Sequence, residues 1–142
     1  MAGRPASLLV DTDIFIDYLN GVQRAREILD SPRYIIYYSP VTRKELLRKP
    51  GLSTTELQRI RRLLLRHRVV PVDQRIARSF SRLMATFSAR GLRNADALIA
   101  ATAWARALPI LTRNTKHYRF ISEITVVDPS KLSAHSRSSR SS

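Results

Sequence analysis

The fold is decided by a stretch near the amino terminus, which reads Leu8-Leu9-Val10-Asp11-Thr12-Asp13-Ile14-Phe15-Ile16-Asp17-Tyr18-Leu19. Its apolar beginning is typical of a buried parallel strand, and the acids follow where that strand ends. Asp11, Asp13 and Asp17 place like charges side by side, which is costly unless a cation or a proton offsets the repulsion. Because oxygen ligands favour Mg²⁺ or Mn²⁺ over zinc, the stretch predicts a metal site.

Length and composition predict one globular domain. The chain has 142 residues, 44% of them hydrophobic, and no cysteine, which excludes disulfides, thiolate zinc sites and cysteine nucleophiles. The apolar run 95–105 is interrupted by Asp96, so no membrane span is expected. Residues 1–6 are too few and too polar for a secretory signal. We therefore interpret the chain as a cytoplasmic protein.

The charge balance indicates a nucleic-acid ligand. The formal net charge is +14 and the sequence pI is about 11.4, and most of the 25 basic residues are arginine. The planar guanidinium group of arginine donates two parallel hydrogen bonds to phosphate oxygens. A domain above pI 9 carries the electrostatic signature of a nucleic-acid binder. A solvated surface, or one covered by an acidic protein partner, is the alternative.

Strand and helix patterns alternate along most of the chain. The predicted strands are 7–10, 33–39, 69–72, 109–112 and 124–127, and the predicted helices are 14–19, 22–29, 40–48, 54–66, 74–89 and 95–107, with a helical turn at 116–120. This alternation predicts βαβ units with right-handed crossovers, hence an α/β domain whose parallel sheet is covered on both faces.

The sequence also predicts where several helices begin and where the domain ends. Ser39 before Pro40, the capping box from Ser53 to Glu56, Asp73 and Asn94 are predicted N-caps. After Pro129 the chain becomes rich in serine and arginine, so we expect a domain over 1–130 and a disordered tail over 131–142.

Polar side chains follow several of the predicted strands at their carboxyl ends. Asp11 ends the first strand, Glu45 lies in the helix after the second, and Asn114 follows the fourth. Asp96 falls in the first turn of the helix that begins near 95. Since the carboxyl ends of parallel strands meet at one edge, these side chains should converge. Taken singly, Asp13 and Asp96 could be helix-start acids and Glu45 a surface ion-pair partner.

Four segments together resemble the motifs of PIN-domain nucleases, especially the VapC-type toxins. They are Leu9-Val10-Asp11-Thr12-Asp13-Ile14-Phe15-Ile16-Asp17-Tyr18-Leu19, Val41-Thr42-Arg43-Lys44-Glu45-Leu46-Leu47, Ala95-Asp96-Ala97-Leu98-Ile99-Ala100-Ala101-Thr102-Ala103 and Leu111-Thr112-Arg113-Asn114-Thr115-Lys116-His117-Tyr118. The resemblance covers about 8–129. It implies a three-layer α/β/α domain with about five parallel strands, and endoribonuclease activity that depends on Mg²⁺ or Mn²⁺.

The resemblance also implies roles for individual residues. Asp11, Glu45 and Asp96 match the three acidic metal ligands, and Asn114 matches a fourth, weaker position where the wider family often has Asp. Three further residues are expected to support the site, namely Thr12, Asp13 and Thr112. Arg43, Arg113 and Lys116 are candidates for RNA-phosphate contacts, since they adjoin the acids.

The histidines argue for metal-assisted hydrolysis. His67, His117 and His135 are expected to lie outside any acid/base pair with the acids, which argues against cleavage by general acid and base alone. A carboxylate-bound metal instead lowers the pKa of a water and neutralises charge that develops on phosphorus.

The resemblance implies partners as well: an RNA substrate, a small VapB-like antitoxin that inhibits the enzyme, and a second copy of the chain in a homodimer. The basic helix over 56–68 either presents apolar surface to one of these proteins or faces the core. Two other functions stay open. One is a non-catalytic PIN domain that binds RNA or builds a complex, and the other is a haloacid-dehalogenase-type phosphatase with Asp11 as nucleophile.

Overall fold

A five-stranded sheet forms the centre of the molecule. The computed structural model describes residues 3–132, and within them the strands are β1 (Ala6–Val10), β2 (Tyr34–Tyr38), β3 (Arg68–Val69), β4 (Ile110–Leu111) and β5 (Val126–Val127). All pairings are parallel and the order across the sheet is β3-β2-β1-β4-β5. The predicted parallel sheet of about five strands is therefore confirmed.

Six α-helices in the described range cover this sheet. They are α1 (Thr12–Leu19), α2 (Gln23–Leu29), α3 (Pro40–Leu47), α4 (Thr54–Leu65), α5 (Gln74–Phe87) and α6 (Asn94–Arg106), with 3-10 turns at Ser88–Arg90, Thr115–His117 and Pro129–Lys131. None of the helices in residues 3–132 has the length and apolar character that crossing a membrane requires.

Side chains of β1 alternate between two hydrophobic cores, one on each face of the sheet. Leu8 and Val10 point into the core shared with α1, α2 and α4, while Leu9 points into the core shared with α5 and α6. Because both faces are buried there, the inner part of the strand, Leu8 to Val10, is continuously apolar instead of alternating with polar residues. The three-layer α/β/α arrangement follows.

The predicted helix caps are confirmed with one exception. Ser39, Ser53 and Asp73 accept backbone hydrogen bonds at the starts of α3, α4 and α5, and the capping box with Glu56 is complete. The prediction for Asn94 is wrong: α6 begins one residue earlier, so Asn94 has helical backbone and no side chain caps the helix.

The third strand lies earlier in the chain than the sequence pattern predicts. β3 is Arg68–Val69, and Val70 still donates a backbone hydrogen bond to the Tyr38 carbonyl at 2.8 Å. Pro71 follows, and the pairing with β2 ends before the predicted end at 72.

Only the first two residues of the predicted disordered tail, 131 and 132, are among the described residues. Leu132 still packs against the core on the α1 side, directly after the turn Pro129–Lys131. Residues 133–142 of the predicted tail lie outside the described residues, and the domain boundary at 130 stays a prediction.

Candidate active site

The sheet order brings the ends of β1, β2 and β4 together, because these three strands are neighbours. Asp11 directly follows β1, Ser39 and α3 follow β2, and Thr112 follows β4. Acids and hydroxyls from separate segments of the chain therefore meet at one edge of the sheet.

Asp11 is the buried acid of this edge, with 7% of its surface exposed. It is the N-cap of α1, and its Oδ1 accepts a hydrogen bond from the Thr12 backbone N–H at 2.8 Å. Its Oδ2 accepts hydrogen bonds from the Thr112 hydroxyl at 2.9 Å and from the Tyr118 hydroxyl at 3.1 Å. The carboxylate is thus oriented by its own helix start and by two donors from distant parts of the chain.

Tyr118 connects Asp11 to Asp96. Its side chain is fully buried, and its hydroxyl also lies 3.2 Å from Oδ1 of Asp96. A single phenolic proton is shared between two carboxylates, one at the end of β1 and the other in α6. The sequence does not predict this role, because a tyrosine after a polar turn has no spacing signal that distinguishes a hydroxyl with partners from an ordinary core ring.

Hydrogen bonds of Thr12 connect Glu45 to the acids at this edge of the sheet. The Thr12 hydroxyl donates to Oε1 of Glu45 at 2.6 Å and is also 2.9 Å from the Thr42 hydroxyl. The same Thr12 gives its backbone N–H to Asp11, so one residue contacts both acids. The predicted supporting positions Thr12 and Thr112 therefore both contact predicted acids.

Asp13 and Asn114 form a neighbouring group. Oδ2 of Asp13 accepts the Arg113 backbone N–H at 2.9 Å and the Asn114 side-chain N–H at 3.4 Å. The Thr112 hydroxyl lies 3.4 Å from the same carboxylate oxygen. The side chain of Asn114 thus contacts Asp13, and neither Asp11 nor Asp96 is among its hydrogen-bond partners in the described residues.

Of the three phosphate-contact candidates, Arg113 has an internal partner. Its guanidinium contacts both carboxylate oxygens of Asp17, at 2.6 and 3.1 Å. Arg43 is exposed on α3, and Lys116 is exposed beside a cavity that also contains Asp96. Lys116 is therefore the candidate whose position best matches its predicted role.

His117 corrects the expectation that no histidine adjoins the acids. Its Nδ1 lies 3.5 Å from Oδ2 of Asp96, because the 3-10 turn Thr115–His117 carries it toward the start of α6. His67 lies elsewhere, with its ring against Phe15 in the core. His135 is outside the described residues.

The pKa values of Asp11 and Asp13 are both raised, because their surroundings destabilise the ionised carboxylates. Burial first, and then the charge of Asp13, raises the pKa of Asp11 to about 6, although three hydrogen bonds act in the opposite direction. Burial also raises the pKa of Asp13. The pKa of Tyr118 is raised by burial and by the nearby carboxylates of Asp11 and Asp96, so its hydroxyl stays a donor.

The donor set fits a hard divalent cation of the Mg²⁺ type. In residues 3–132 no three His, Cys, Asp or Glu side chains stand close enough to hold an ion together. Mg²⁺ keeps several waters, however, and is bound through only one or two carboxylates. The carboxylates of Asp11 and Asp96, which share the Tyr118 hydroxyl, meet that requirement. A cation beside Asp11 would offset the burial and the charge of Asp13 that raise the pKa of Asp11.

Comparisons with known proteins identify the family of the chain. A family model described as the PIN domain matches residues 8–121. Ribonuclease VapC10 of Mycobacterium tuberculosis is 35% identical over 121 residues, which cover 82% of this chain and 90% of that protein.

Solved structures give the same result for the fold. A chain of the toxin-antitoxin complex from Klebsiella pneumoniae has a TM-score of 0.69 at 31% identity, over 86% of this chain and 97% of its own. One from VapBC2 of Rickettsia felis, solved with a DNA fragment from their promoter, has a TM-score of 0.75 at 16% identity, over 86% and 98%. Because the family model matches most of the chain and a relative is 35% identical, this chain belongs to the PIN domain family.

Proposed function

We propose that the chain is an endoribonuclease of the VapC kind, dependent on Mg²⁺ or Mn²⁺ and inhibited by a VapB-type antitoxin. The observation that carries the proposal is the hydroxyl of Tyr118, which joins Asp11 to Asp96 while Thr12 joins Asp11 to Glu45. A relative at 35% identity is a ribonuclease, and the net charge of +14 suits a polyanionic substrate.

In this proposal Asp11 and Asp96 hold the metal, with Glu45 beside them and Asn114 as a weaker participant. When bound, the ion lowers the pKa of a water molecule and neutralises charge that develops on the phosphoryl oxygens. The protein contributes orientation: Thr112 and Tyr118 fix the Asp11 carboxylate, and Thr12 fixes Glu45.

A groove beside Glu45 supports inhibition by an antitoxin. It lies between α1, α3 and α4, has a volume of about 360 Å³, and is lined by Leu19, Leu46, Leu52 and Ile60 among others. Ile16 also lines it and is 44% exposed. Charged side chains, namely Glu45, Lys49, Glu56 and Arg59, also line the groove. We assign it to the VapB-type antitoxin, because a chain seated there covers the approach to Glu45. A homodimer is part of the proposal and is tested by the mass of the purified chain in solution.

The test is cleavage of RNA by the purified chain, free of antitoxin. RNA should be cut with Mg²⁺ or Mn²⁺ and stay intact in EDTA. Asp11→Asn and Asp96→Asn should each slow cleavage by at least about 100-fold, since even outer partners of metal ligands typically contribute 10- to 100-fold. Glu123→Gln is the matched control, because this exposed acid has only its neighbour Ser122 as a side-chain hydrogen-bond partner among the described residues.

The alternatives predict different results. A non-catalytic PIN domain would bind RNA without cutting it under any metal condition. A phosphatase of the haloacid-dehalogenase type would form a phosphoaspartyl group on Asp11. Cleavage that is unchanged in Asp11→Asn or Asp96→Asn would refute the assignment of these acids.

A further inference from the structure

A second cavity adjoins the acids on the side of α6. Its volume is about 290 Å³, and it opens between the turn at Ser88–Arg90, the start of α6 and the turn at Thr115–His117. Its lining combines basic and aromatic side chains with one acid, namely Arg90, Arg93, Lys116, His117, Phe120 and Asp96.

Positive charge exceeds negative charge in this cavity. Three cationic side chains, Arg90, Arg93 and Lys116, face the single carboxylate of Asp96. The Arg93 guanidinium lies 3.8 Å from that carboxylate and its side chain is 74% exposed, so the pair is loose and largely hydrated. No ion pair or hydrogen bond to another described residue occupies the Lys116 ammonium. The cavity therefore has an excess of cationic side chains, and the Lys116 ammonium has no partner among the described residues.

Its remaining wall suits a nucleotide. The Arg90 guanidinium lies over the Phe120 ring, 4.8 Å from the ring centroid. Aromatic rings and arginine guanidinium groups are side chains against which bases of single-stranded nucleic acid stack, independently of sequence. An anion-binding wall and a stacking wall in one cavity match the two parts of a nucleotide.

Asp96 connects this cavity to the candidate active site. One oxygen of Asp96 contacts the Tyr118 hydroxyl, and the other lies toward Arg93 and His117 in the cavity. Asp96 thus lies between the cavity and the acidic group, and two successive phosphates of one RNA strand would lie on its two sides.

We propose that this cavity binds the RNA phosphate next to the one that is cleaved, with Lys116 and Arg93 as its principal contacts. The inference rests on the proposed nuclease function and adds a place where the substrate strand is held. It makes Arg90, Arg93 and Lys116 determinants of substrate position.

The test measures RNA binding without cleavage. Asp11→Asn protein in EDTA is titrated with a labelled single-stranded RNA of about 12 nucleotides. Adding Arg93→Gln and Lys116→Gln should raise Kd about tenfold at low salt. The slope of log K against log salt should fall by about 0.7, because one phosphate is no longer neutralised by cationic side chains. Lys116→Gln alone should give about half of the change in slope.

The matched control removes two arginines that do not line the cavity, through Arg61→Gln and Arg78→Gln on the exposed sides of α4 and α5. This control has the same net charge as the cavity variant. Equal reductions of affinity and slope in both variants would overturn the inference, because the effect would then be one of net charge. RNA binding that is absent in the parent protein would overturn it too.

Neutral linkages identify the phosphate. RNAs with a methylphosphonate at one linkage at a time should show one position where the substitution weakens binding to the parent but not to the cavity variant. That position should adjoin the linkage that active protein cuts; any other position, or none, contradicts the inference. Weaker binding of the antitoxin with unchanged RNA binding would show that the cavity serves the protein partner instead.

Failure of this inference differs from failure of the nuclease proposal. If wild-type protein cuts RNA and the cavity variant binds RNA like the control variant, the nuclease proposal stands and the cavity is not a subsite. If wild-type protein cuts no RNA while the cavity variant alone loses affinity, the cavity is an RNA site and the nuclease proposal fails.

Discussion

At the scale of single residues, the hydroxyl of Tyr118 is the contact on which the acidic group depends. It is the shared donor of Asp11 and Asp96, which lie at the end of β1 and in α6 and have no direct hydrogen bond in the described residues. A phenylalanine would fill the same buried space but could donate to neither carboxylate. The ring and the hydroxyl thus have separable roles, in packing and in orientation.

Tyr118→Phe should therefore weaken metal binding while leaving the fold intact. We expect Mg²⁺ or Mn²⁺ affinity, measured by isothermal titration calorimetry, to fall about tenfold or more, as for other partners that orient metal ligands. RNA cleavage should fall with it and recover partly at high metal concentration. Tyr37→Phe is the control, because the Tyr37 hydroxyl makes no hydrogen bond to the acids in the described residues. Unchanged metal affinity in Tyr118→Phe would show that the ring is present for packing alone.

His67 provides a second prediction, on pH. Burial, and then the charge of Arg66, lowers its pKa from 6.5 to about 4, and its buried Nε2 has no hydrogen-bond partner among the described residues. Between pH 6.5 and 4 the unfolded chain binds a proton here and the folded chain does not, so stability is lost as pH falls through this window. The decrease should reach about 1–2 kcal/mol, because partial exposure of the ring reduces the full effect.

The comparison that isolates this effect is wild type against His67→Phe, which keeps the ring contact with Phe15. The free energy of unfolding in urea should fall further for wild type than for the variant between pH 7 and pH 4. Taking the difference between the two curves is essential, since the raised pKa of Asp11 acts in the opposite direction over part of the same range. Parallel curves would mean that His67 is protonated in the folded protein.

At the scale of elements, α1 is tied to the loop after β4 by Arg113 and Asp17. The guanidinium binds both oxygens of the carboxylate, and the Arg113 backbone N–H binds Asp13 on the same helix. Asn114 is therefore positioned through α1, although it follows a different strand. The ion pair of Arg113 and Asp17 thus connects the loop after β4 to α1.

Removing either partner should loosen this connection. Asp17→Asn and Arg113→Gln should each lower the free energy of unfolding, and the double variant should show a coupling of about 0.5–1 kcal/mol, within the range of well-oriented bidentate pairs. Urea denaturation of the four proteins in the cycle measures it. If Arg113→Gln instead lowers RNA affinity with no decrease in stability, the sequence-based assignment of Arg113 to a phosphate contact is the better one.

The elements also show what the sequence could predict. The acids and threonines of the site come from strand ends and helix starts, which local patterns indicate well, so the convergence of Asp11 and Glu45 was predictable. Partners more than a hundred residues apart, such as Tyr118 for Asp11, depend on how the turn at 115–117 packs against α6. Side-chain contacts of that kind have no periodicity in the sequence. The pairing of Arg113 with Asp17 was not predicted for the same reason.

At the scale of the whole molecule, the candidate active site costs stability. Asp11 is 7% exposed, and its pKa is raised from 3.8 to about 6 by burial and by Asp13, so keeping it ionised at neutral pH opposes folding by about 2–3 kcal/mol. The cost is present above pH 6 and disappears below pH 3.8, where the carboxyl is protonated in both states. A bound divalent cation offsets it, because the ion binds the folded chain and not the unfolded one.

Thermal unfolding at neutral pH should reveal both effects. Metal at about 100 times its dissociation constant stabilises by about 2.7 kcal/mol, which for a chain of this size raises Tm by roughly 5–10 °C over the value in EDTA. In EDTA, Asp11→Asn should melt at a higher temperature than wild type, since the buried charge is gone while Thr112 and Tyr118 can still pair with the amide. Added metal should raise the Tm of Asp11→Asn little, whereas Glu123→Gln should respond like wild type. If metal raised the Tm of wild type and Asp11→Asn equally, the stabilising ion would bind away from Asp11, and the acidic edge of the sheet would not be the metal site.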